Sequence, residues 1–63
     1  MSVLPELSSV ATVLDELLRR VSALTDALEP AERDELTADL LEVERALGTA
    51  QRRLHRLLDS HPR

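Results

Sequence analysis

The side chains best placed to do chemistry lie in the second half of this 63-residue chain. Gln51, His55 and Asp59 follow one another a helical turn apart. Such a trio could ligate a metal in an assembly, or titrate near neutral pH, since imidazole has a reference pKa of about 6.5. Arg52, Arg53 and Arg56 stand among them, and positive charge opposes both cation binding and protonation. A surface polar role is therefore expected. Glu29, Glu32, Glu35, Asp39 and Glu42 form a carboxylate ladder at three- and four-residue spacing. Ladders of this kind bind divalent metal in helical bundles when they face inward beside a Glu-x-x-His pair. No histidine stands at that offset, and the ladder falls on the wet side of Leu36 and Leu40. Compensation of a helix dipole and solubility explain it.

Arg52, Arg53 and Arg56, with Arg63, are the only basic concentration, open to phosphate or to an acidic partner. Gly48 is the single glycine and cysteine is absent. Glycine-rich phosphate loops, disulfides, thiolate zinc sites and cysteine nucleophiles are excluded together. No catalytic, metal or cofactor site is expected, and the chain reads as non-enzymatic.

The elements carrying these residues are set by Pro30. Before it, Leu7, Val10, Leu14, Leu17, Val21, Leu24 and Leu28 form one apolar ladder running in sevens. After it, Leu36, Leu40, Val43, Leu47, Ala50, Leu54 and Leu57 form a second. This spacing predicts two amphipathic helices, about 5–28 and about 30–59, with a fraying tail at 60–63. Ser2 suits a cap and Pro5 a first turn. Glu29 is driven from the helical region by the following proline, which itself suits a first helical position. Gly48 falls in mid-helix, where it costs about 1 kcal/mol relative to alanine and is read as tolerated.

A turn this short, near Glu29 and Pro30, makes the fold an all-α antiparallel hairpin in a single domain. Pairing residues whose numbers sum to 57 sets Leu14 against Val43, Val21 against Leu36, and Leu17 against Leu40. That register also brings Glu6 towards Arg53 and Arg20 towards Asp39, both opposite in sign, with Val13 and Ala46 between them. Apolar residues remain beyond what one seam uses, Leu18 and Leu41 among them. The surplus predicts two hairpins closing into a four-helix bundle, most simply a homodimer with two-fold symmetry. Chains this small usually need a disulfide, a metal or a partner subunit, and only the last remains.

The pattern of two helices with a turn near residue 30 resembles the Rop-type plasmid copy-number regulators. That resemblance implies a dimeric four-helix bundle. The basic and aromatic RNA contacts of that family have no counterpart on the first helix, where Leu14 holds the middle and Arg19 and Arg20 are the basic residues. The stretch Leu14-Asp15-Glu16-Leu17-Leu18 and the run from Arg52 to Leu58 look like the helical docking segments of actinobacterial polyketide synthases. That second likeness implies a dimerisation segment of a larger enzyme assembly.

The net charge of −4 and the lack of any aromatic residue disfavour nucleic acid, whose bases stack on aromatic platforms. No apolar run reaches the roughly 20 residues of a membrane span, and no signal peptide is legible, so a cytoplasmic location is expected. The expected function is protein–protein interaction: an oligomerising adaptor or regulatory subunit that binds itself and a further protein. Leu14, Leu17, Leu18, Val21, Leu40, Leu41, Val43 and Leu47 are the expected interface. The alternative class is a Rop-like nucleic-acid regulator using Arg19, Arg20, Arg52, Arg53 and Arg56.

Overall fold

The computed structural model describes residues 2–61, so Arg63 of the basic concentration lies outside the described residues. Two helices, α1 (Leu4–Asp26) and α2 (Pro30–Ser60), pack against each other as a hairpin, with no strand among the described residues. The hairpin is a rod of 50 × 14 × 14 Å. At 1.5 Å per residue the 31 residues of α2 span about 46 Å, so this one helix runs nearly the full length.

Local chemistry sets the ends. The Leu4 N–H donates to Ser2 Oγ at 3.1 Å, and Pro5 sits in the first turn, where no donor is lost. The first helix stops at Asp26, two residues short of the expected Leu28. Its last turn tightens there: the Ala27 N–H is shared between the Ala23 and Leu24 carbonyls, both at 3.1 Å. Glu29 must then be extended to precede proline, and it is, with φ −70° and ψ 154°. Glu29 and Glu32 form a capping box across Pro30, with the Glu29 N–H donating to Glu32 Oε1 at 3.1 Å. Two of the expected ladder carboxylates thus have a structural task. At the far end α2 keeps Ser60 helical, one residue beyond the expected Asp59.

The register differs from the expected one. With numbers summing to 57, Asp15 would face Glu42. It instead meets Gln51 and His55, nine and thirteen residues further along α2. Glu6 forms no ion pair with Arg53, nor Arg20 with Asp39, among the described residues, and Leu17 is exposed rather than set against Leu40. Every residue from 30 to 36 is exposed, and the seam is tightest where Ala11 and Gly48 are buried. The first turns of α2 thus stand clear of α1.

Candidate functional site

Each helix carries three seven-spaced columns side by side. On α1 the inner column is Leu4, Ala11, Leu18 and Thr25. The middle is Leu7, Leu14 and Val21, continued by Leu28 in the linker; the outer is Val3, just before the helix, with Val10, Leu17 and Leu24. On α2 the inner column is Thr37, Glu44, Gln51 and Leu58. The middle is Leu40, Leu47 and Leu54, and the outer is Leu36, Val43, Ala50 and Leu57. Every inner and middle residue is sheltered, and every outer residue is exposed. Successive side chains turn by about 100°, so inner and outer columns lie on opposite sides of the middle one. Antiparallel helices mirror that order. Both outer columns therefore fall on the same side of the hairpin, flanking a floor made by the middle columns.

On α2 the polarity of the two flanking columns is inverted for a molecule standing alone. The α2 inner column, turned towards α1, carries Thr37, Glu44 and Gln51. The outer columns, turned to solvent, are wholly apolar. Val3 is 65 % exposed, Leu24 64 % and Leu17 41 %, whereas among the described residues the only buried apolar side chain is Ala11. The hairpin thus keeps a second apolar ladder on each helix open to solvent.

Of the eight expected interface residues, Leu14, Leu18, Val21, Leu40 and Leu47 lie in the sheltered columns. Leu17 and Val43 lie in the open outer columns. Leu41 is exposed on the far side of the seam, in the column of Gly48 and His55. Arg52, Arg53 and Arg56 are all exposed. Arg52 is turned back along its own helix, its Nη2 donating to Thr49 Oγ1 at 3.4 Å and its Nη1 lying over Gly48.

On that far side lies the one polar cluster that joins the helices among the described residues. Gln51 Nε2 donates to Asp15 Oδ1 at 2.8 Å, and His55 Nε2 approaches Oδ1 at 3.0 Å and Oδ2 at 3.2 Å. The hydrogen bond from Gln51 foremost, then that from His55, holds the Asp15 carboxyl below its ordinary pKa, with the His55 and Arg19 charges adding to this and desolvation opposing it. Sequence reasoning grouped Gln51 and His55 with Asp59. The structure joins them to Asp15 instead and leaves Asp59 exposed. Asp15 carries no sequence signal for this role, because its partners lie on the other helix. No group of three or more metal-ligating side chains forms among the described residues. The other ion pairs there, Arg19 with Glu16 and Arg45 with Glu42, are exposed contacts within single helices, each contributing at most about 1 kcal/mol.

Neither described helix is long and apolar enough to cross a membrane. No family model matches the chain, and no curated protein or solved structure matches it either.

Proposed function

We propose that this chain is a non-catalytic oligomerisation module whose open face is covered by a second copy, the two hairpins closing into a four-helix bundle. The observation that carries this reading is the inverted polarity of the columns. A hairpin built to stand alone would turn Leu36, Val43 and Leu57 inward and leave Glu44 and Gln51 in water. On α2 the reverse holds, which supports a second interface on the side of the outer columns.

Area supports the same occupant. A compact monomer of this 7.0 kDa mass exposes roughly 4,000 Å². This chain exposes 5047 Å², an excess of roughly 1,000 Å². A stable protein interface takes about 800 Å² from each partner, so one protein-sized partner absorbs the surplus. A second copy supplies the same width of leucine and valine columns, and bundles of this kind most often close by two-fold symmetry.

Thermal unfolding across a wide range of chain concentration tests the proposal. Folding coupled to self-association gives a midpoint that rises with concentration. A midpoint independent of concentration over two decades, in a chain of monomeric mass, would refute it.

A further inference from the structure

The edge of the open face carries a charge pattern that neither the hairpin seam nor the helices themselves use. One step round α1 from the outer column lies a further seven-spaced column: Glu6, Val13, Arg20. All three are exposed, Val13 by 57 %, and Glu6 and Arg20 make no ion pair among the described residues. Negative, apolar, positive at equal spacing is a self-complementary order. Turned end over end about Val13, it lands on itself with each charge opposite its counter-charge.

The outer column has the same property. Val3 exchanges with Leu24, and Val10 with Leu17, about a point between residues 13 and 14. The two centres, 13 and 13.5, agree within half a residue. We propose that α1 packs antiparallel against α1 of the second copy, about a two-fold axis at Val13. This rests on the self-association reading above and names the helices in contact. In it Val13 faces Val13 of the second copy, Val10 faces Leu17, and Glu6 of each chain pairs with Arg20 of the other. The exposed valine in the middle of a charged edge then has a purpose.

The obvious rival packs α1 on α2 of the second copy, with Glu6 against Arg53 and Arg20 against Asp39. It leaves the self-complementary order of Glu6, Val13 and Arg20 within α1 without a purpose, whereas packing α1 on α1 uses it.

A charge-swap cycle tests the contact. Dimer dissociation constants are read by sedimentation with interference optics, since the chain has no Trp or Tyr. Glu6→Arg alone and Arg20→Glu alone each turn two attractive pairs repulsive and weaken the dimer about 5-fold or more at low salt. The double variant Glu6→Arg/Arg20→Glu returns within about twofold of the parent, and the differences fade at about 1 M salt, where charges are screened within 3 Å. Val13→Cys, in a chain with no cysteine of its own, is joined to its copy by a short bismaleimide. Single reversals without effect in a protein that stays dimeric overturn the contact. So does rescue of Glu6→Arg by Arg53→Glu in place of Arg20→Glu. A monomeric parent overturns the self-association beneath it, and mass alone separates that result from the others.

Discussion

Leu17→Ala and Leu18→Ala change neighbouring residues that face different partners. Leu17 is 41 % exposed in the outer column, whereas Leu18 is sheltered in the inner one. Truncating leucine to alanine removes three carbons, each contributing ~0.8 kcal/mol when buried, or ~2.4 kcal/mol in all. If the second copy buries the exposed fraction of Leu17, the loss is ~1 kcal/mol per chain and ~2 kcal/mol per dimer. At 1.4 kcal/mol per tenfold that is roughly 30-fold in the dissociation constant, before any cavity is counted. In a lone hairpin the same change costs only the contacts of the part of Leu17 already sheltered within the chain, and there is no association for it to weaken. The effect on the dissociation constant thus separates the two states. Leu18→Ala destabilises in either case, since its partners lie within the chain. The assay is dimer dissociation by dilution, followed by helical circular dichroism and sedimentation. Unchanged dimer affinity and an unchanged or raised melting point for Leu17→Ala would refute the reasoning.

Three further expectations concern the hairpin itself. Asp15 has a lowered folded-state pKa, so its contribution is fully present above the unfolded value of about 3.9 and is lost as pH falls through the folded one. Acid melting should accordingly lose part of its low-pH limb in Asp15→Asn, and an unchanged difference between neutral pH and pH 3 would contradict this. Glu32→Ala breaks the capping box at the start of α2 and should lower stability by roughly 0.5–1 kcal/mol. Glu32→Gln keeps an acceptor for the Glu29 N–H and should retain most of it; equal losses would argue against the hydrogen bond. A Cβ added at Gly48 would meet only Arg52 Nη1, at 3.4 Å and on a flexible side chain. Gly48→Ala should therefore raise the melting midpoint, by up to about 1 kcal/mol of helix propensity. A lowered midpoint would mean that α1 approaches more closely there than this contact implies.

The break at Pro30 and the two amphipathic helices were legible because proline and apolar periodicity act locally. The register was not. Both flanking columns of α1 are mainly apolar, so hydrophobicity could not decide whether Leu17 or Leu18 faced α2. On α2 apolarity pointed to Leu36, Val43 and Leu57, and the seam took Thr37, Glu44 and Gln51. That choice depends on the close approach at Ala11 and Gly48, and on Asp15 finding Gln51 and His55, neither of which is a local property. The capping box could have been read from Glu29 and Glu32 standing three apart across a proline. The pairing of Glu6 with Arg53 failed for the same reason the register did, and the charge pattern behind it remains free for a contact between copies.

Absolute mass by light scattering after size exclusion, on the purified chain at tens of micromolar, tests the central claim most directly. The account predicts a helical species of twice the 7.0 kDa chain mass. A species of 7.0 kDa that keeps its helicity at that concentration would contradict it, because the open leucine and valine face would then be stable in water without a second copy.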